Sequence, residues 1–203
     1  HQLKKDDANF EMYVMLGAWI DCLHAWTETT PNHDIESEQN EGEIARAVAL
    51  AQKYPDIVKV IAVGNEAMVK WATSYFVQPN IILKWVKNLQ KLKSNGTLSK
   101  DLWITSSDDY ASWGGGDPMY HTQDLEDLIK AVDYISMHTY AYHNSHYNPE
   151  FWKTPTHLKN LSDIEKIDAS AVRALNFAKN QYKGVVNYMK SLGVDKPVHI
   201  GET

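Results

Sequence analysis

Residues 57–66 read Ile57-Val58-Lys59-Val60-Ile61-Ala62-Val63-Gly64-Asn65-Glu66: an almost wholly apolar, β-branched run that stops abruptly at an amide and a carboxylate. Such a run between turn residues predicts a strand, and its end places a carboxylate on a rigid element beside a hydrogen-bonding side chain. Helical patterns lie on either side. Upstream, Glu43 to Lys53 sets Ile44, Ala47, Val48 and Ala51 on one face. Downstream, Pro79 suits the first turn of a helix running to about Lys93, with Gly96 just past its end. Its stripe is Ile82, Trp85, Leu89 and Leu92, so Trp85 is expected in the core.

Further strands are predicted at residues 12–17, 102–106, 132–138 and 197–201, and further helices at 123–131 and 170–192, the last stopped by Gly193. Regular alternation of strand and helix means parallel strands joined by right-handed crossovers. An open doubly wound sheet and a (β/α)8 TIM-barrel both fit. No Gly-rich phosphate loop follows the first strand, which counts against a nucleotide-binding sheet. Gly114-Gly115-Gly116 follows Trp113 in a long segment and reads as flexible loop. At the carboxyl ends of the strands stand Trp19 and Asp21, Asn65 and Glu66, Ser106 to Asp109, His138 and Tyr140, and Glu202. Polar and aromatic groups from several strands gathered at that end are what a barrel active site uses. The expectation is therefore an α/β (β/α)8 barrel.

A second strand also runs straight into a carboxylate: Pro197-Val198-His199-Ile200-Gly201-Glu202-Thr203. Two carboxylates facing each other across a barrel mouth suit retaining glycoside cleavage. One protonates the leaving oxygen and later activates water, and the other attacks the anomeric carbon; their carboxyl groups stand about 5–5.5 Å apart. The acid and the nucleophile need different environments. An adjacent amide such as Asn65 can hold the sugar 2-hydroxyl.

The segment Val63-Gly64-Asn65-Glu66 resembles the acid/base motif of glycoside hydrolase family 17, the β-1,3-glucanases and related glucanosyltransferases. Gly201-Glu202-Thr203 resembles the start of that family's nucleophile motif. His138-Thr139-Tyr140-Ala141-Tyr142 resembles its strand-six segment, with His138 where the family usually has Asn and Ala141 where it usually has Pro. The resemblance runs from Tyr13 to Glu202 and implies Glu66 as acid/base, Glu202 as nucleophile, and Tyr140 beside the nucleophile. It implies hydrolysis of laminarin-type β-1,3-glucan with no cofactor, and a secreted, periplasmic or cell-surface parent whose signal lies upstream of His1. It also implies one catalytic domain over 1–203 that lacks strands one, two and eight of its barrel, so that a second polypeptide segment is expected to complete it. Alternatives on the same pattern are a glucanosyltransferase, a cellulase or xylanase of related fold, and a non-catalytic glucan-binding barrel fragment.

Composition bounds the partners. The net charge is −6 and Lys and Arg are scattered, so no basic stripe argues for nucleic acid. Charged residues interrupt every apolar stretch, so no membrane span is expected. A single cysteine, Cys22, excludes an intrachain disulfide. Seven Trp and eleven Tyr against four Phe suit a surface that stacks on sugar rings, and equally suit ordinary packing. Trp71, Trp113, Tyr142 and Trp152 lie in segments after strands and are the candidate platforms; His138 is a candidate substrate contact. His143 and His146 have metal-like spacing but no third ligand nearby, and no metal is expected. Asn95-Gly96-Thr97 and Asn160-Leu161-Ser162 match glycosylation acceptors, which arise by chance.

Overall fold

The computed structural model describes residues 1–142 and 154–203. Trp152, His143 and His146 fall outside the described residues. The helices are α1 (Gln2–Asp6), α2 (Gln39–Lys53), α3 (Pro79–Ser94), α4 (Gln123–Ala131) and α5 (Asp163–Ser191). The strands are β1 (Val14–Ala18), β2 (Cys22–Leu23), β3 (Asn32–Glu36), β4 (Val58–Asn65), β5 (Trp103–Asp109), β6 (Ile135–His138) and β7 (Val198–Glu202).

Five strands form one sheet in the order β1-β4-β5-β6-β7, and every neighbouring pair is parallel. The chain is thus α/β with a parallel sheet, as the alternation predicts. Among the described residues β1 and β7 do not pair, so the sheet is not closed into a barrel. The antiparallel pair β2–β3 was not predicted. Its strands are short, and Asn32-His33-Asp34-Ile35-Glu36 is too polar to read as a strand.

The core lies between the sheet and its helices. Ile61 and Val63 of β4, Ile104 of β5, and Ile135 and Met137 of β6 are fully buried. They pack with Ile82, Val86 and Leu89 of α3 and with Leu125, Leu128 and Ile129 of α4. That is the apolar stripe of each helix meeting the central strands. Trp85 is buried as expected, and its indole N–H donates to Glu36 Oε2 at 2.8 Å.

Two sequence expectations change. The Gly114 region is not a flexible loop: Ala111–Gly115 forms a turn of wide helix with Ser112, Trp113 and Gly114 buried. A Cβ on Gly115 would meet the Val185 backbone nitrogen at 2.8 Å, and one on Gly184 would meet the Gly115 carbonyl at 2.5 Å. These glycines let α5 lie directly on the turn. The long helix starts at Asp163, not Ser170, behind a capping box. The Ser162 hydroxyl accepts from Glu165 N–H, and the Glu165 carboxylate accepts from Ser162 N–H at 2.8 Å.

Candidate active site

Glu66 directly follows β4, and two local features turn its side chain toward the sheet end. Gly64 has φ +81°, and a Cβ there would meet Ala67 Cβ at 2.8 Å, so only glycine fits. Glu66 itself has φ +47°, a left-handed conformation uncommon for a side chain of this size. Its N–H donates to the Ser107 carbonyl at 2.9 Å, which ties the turn to β5. Glu202 ends β7. It pairs with His138 across the sheet, and the Thr139 N–H donates to its carbonyl at 3.1 Å.

The two carboxylates meet around one imidazole. His138 Nδ1 lies 3.1 Å from Glu66 Oε1 and 3.6 Å from Glu202 Oε2. One ligand atom each of Glu66, His138 and Glu202 lies within 4.8 Å of the others. Tyr140 donates its hydroxyl proton to Glu202 Oε2. The other face of the imidazole is tied down as well: Nε2 is 2.7 Å from Ser107 Oγ, and Ser107 Oγ is 2.9 Å from Ser136 Oγ. Gly201 makes room for this line, since a Cβ there would come within 2.4 Å of Ser136 Oγ and 2.9 Å of Ser107 Oγ.

Burial alone would lower the His138 pKa, but the Glu66 hydrogen bond and the charges of Glu202, Glu66 and Asp108 outweigh it and raise it. Protonated, the ring donates at both nitrogens. Neutral, it can donate to Glu66 while Nε2 accepts from Ser107. Burial, then the Glu202 hydrogen bond and charge, push the Tyr140 phenol upward, so it stays a donor.

Other predicted residues separate. Asn65 is exposed beside Glu66. Trp71, in the segment after β4, is 67% exposed, and Tyr142, in the segment after β6, is 60% exposed. Tyr142 lines a groove with Tyr140, Leu175 and Thr203. Trp113 is a correction: it is 0% exposed and its indole N–H donates to the Ser136 carbonyl at 3.0 Å, so it supports the sheet and offers no stacking face. His138 is another. It is fully buried beneath the carboxylates with both nitrogens engaged, so it orders them and does not face a ligand.

Sequence reasoning missed three groups. Ser107 holds the imidazole and Ser136 backs Ser107, and no motif marks them. Asp108 is completely buried at the end of β5, inside a polar run noted only as a strand end. Trp26 stacks on Tyr75 with ring centres 4.8 Å apart, and Trp19 lies 5.7 Å from the same ring. The excess of Trp and Tyr was the signal for that cluster, but composition does not say which rings meet.

Glu66, His138 and Glu202 carry one nitrogen and two oxygen donors, a set that a small divalent cation also accepts. Here His138 hydrogen-bonds Glu66 and lies 3.6 Å from Glu202, which accepts from Tyr140. The carboxyl end of the parallel sheet thus gathers two carboxylates, an imidazole and a phenol, groups that can accept or donate protons.

No protein-family model and no curated protein matches the chain. Among solved structures it is similar to that of an endo-laminarinase from Formosa Hel1_33_131, with a TM-score of 0.97 and 64% sequence identity. The match covers 100% of this chain and 51% of the other, so this chain spans about half the length of its structural neighbour.

Proposed function

We propose that the chain carries both catalytic glutamates of a retaining glycoside hydrolase that cleaves β-1,3-glucan. The observation that carries this reading is the approach of Glu66 and Glu202 around His138, with carboxylate oxygens within 4.8 Å. Retaining enzymes hold the two groups about 5–5.5 Å apart, whereas inverting enzymes leave about 6.5–9.5 Å for a water. That the similar structure is of an endo-laminarinase supports laminarin as the substrate.

Glu66 protonates the glycosidic oxygen as Glu202 attacks the anomeric carbon from the other face. The Tyr140 hydroxyl holds Glu202 in its attacking orientation and withdraws as negative charge leaves that carboxylate. Glu66, now ionised, takes a proton from water, and the water displaces Glu202 from the sugar. His138 shields the two carboxylates from each other throughout. Asn65 is placed to meet the 2-hydroxyl, where its hydrogen bond strengthens in the transition state, and Trp71 and Tyr142 offer faces for neighbouring glucose rings.

The five parallel strands are read as part of a (β/α)8 barrel within one catalytic domain. Both edge strands support this: Met15 on β1 and Ile200 on β7 are exposed, although parallel sheets are ordinarily covered on both faces. Further strands from a longer polypeptide or a second segment would cover them. On this reading the parent protein acts outside the cytoplasm, where such enzymes meet polysaccharide.

The test is laminarin hydrolysis, followed as reducing ends, by the longest natural polypeptide that contains residues 1–203. Glu66→Gln and Glu202→Gln are expected to lower kcat by at least about 10²–10⁴-fold. Chelation by EDTA is expected to leave the wild-type rate unchanged. Retained cleavage in Glu66→Gln would refute the assignment. Release of longer glucan chains at high oligosaccharide concentration would identify transfer in place of hydrolysis.

A further inference from the structure

Asp108 is a carboxylate at 0% exposure with no cation bonded to it among the described residues. An unpaired buried carboxylate is costly, so its hydrogen bonds define what it is for. Asp108 Oδ2 accepts from Met68 N–H at 2.8 Å, and Oδ1 accepts from its neighbour Asp109 N–H at 2.9 Å. Met68 lies two residues past Glu66, in the turn that leaves β4. The other side of that turn is held by Glu66 N–H on the Ser107 carbonyl. Two adjacent residues of β5 thus grip the chain at Glu66 and again at Met68.

The gripped segment is strained. Gly64 and Glu66 both have positive φ, and a non-glycine residue in that region persists only where its surroundings hold it. Resting on the reading of Glu66 as acid/base, we infer that Asp108 is a positioning residue: by holding Met68 N–H it fixes the turn that aims the Glu66 carboxyl at the leaving oxygen. It does not touch substrate. Burial raises Asp108 to about 7, and the Met68 and Asp109 amides are among the groups opposing that rise. Asparagine has one acceptor oxygen where aspartate has two, so Asp108→Asn leaves one of the two amides unmet.

The discriminating experiment compares two substrates in the same polypeptide as above. Laminarin has an alkoxide leaving group that needs protonation, whereas a 2,4-dinitrophenyl β-laminarioligoside has one that departs unaided. If Asp108 acts through the acid, Asp108→Asn lowers kcat/KM on laminarin on the order of tenfold or more, and leaves kcat/KM on the aryl substrate within about twofold. Glu66→Gln should show the same split in stronger form. Equal losses on both substrates, or none on either, would overturn the positioning role while Glu66→Gln still shows its split. Absence of the split in Glu66→Gln itself would remove the underlying reading instead. Should Asp108→Asn not fold, amide exchange of Met68 in the wild-type protein decides: slow exchange supports the grip, and exchange as fast as an open loop refutes it.

Discussion

At the scale of single residues, the site depends on what each carboxylate touches. Glu202 is held by a phenol and approached by an imidazole, and Glu66 is held by the imidazole alone among its described partners. Tyr140→Phe keeps the ring and removes the donor. A hydrogen bond to a charged group contributes about 1.5–3 kcal/mol, which corresponds to roughly a ten- to hundredfold fall in kcat. Steady-state kinetics on laminarin check this, with an unchanged melting temperature separating chemistry from folding. The motif glycines acquire their reason at this scale too. Gly64 is required by backbone conformation and by the approach of Ala67, and Gly201 by the Ser136 and Ser107 hydroxyls behind it. In the sequence both were visible only as residues preceding a glutamate.

At the scale of elements, α5 shows how far local signals reach. Ser162-Asp163-Ile164-Glu165 is a complete capping-box pattern, so the helix start is legible in the sequence ahead of the apolar spacing that begins near Ser170. Ser162→Ala should destabilise the folded chain by about 1 kcal/mol, seen as a lower urea midpoint. Tertiary fit governs the other end of the same helix. Gly184→Ala places a methyl against the Gly115 carbonyl at 2.5 Å, where neither partner is a flexible side chain. Overpacking of this kind costs about 1–3 kcal/mol, measurable by the same denaturation. Nothing in the sequence around Gly184 marks it, because helix periodicity is blind to what lies across the interface.

For the whole molecule, the consequence of collecting acids at one sheet end is a pH-dependent stability. Burial is the largest cause raising Asp108 to about 7 and Asp109 to about 6, from an ordinary value of 3.8. The folded state therefore binds more protons than the unfolded state between the ordinary and the raised values. Stability linked to these groups is fully present below about pH 4 and is lost as pH rises through about 6–7. His138, also raised, extends the same trend above its ordinary value of 6.5. Relative to wild type, Asp108→Asn should gain urea resistance as pH goes from 4.5 to 7.5; a constant difference would show that Asp108 does not titrate in that window.

The sequence by itself determined the strand–helix alternation, the parallel sheet, the central core stripes and the two strand-terminal glutamates. Those features are periodic or local, and hydrophobic spacing and turn chemistry suffice to express them. Only the tertiary structure decided that Trp113 and His138 are buried supports, that the Gly114 turn is packed rigidly under α5, and that Ser107, Ser136 and Asp108 brace the site. Those outcomes depend on residues far apart in the chain meeting at ångström distances, and no local pattern records such a meeting.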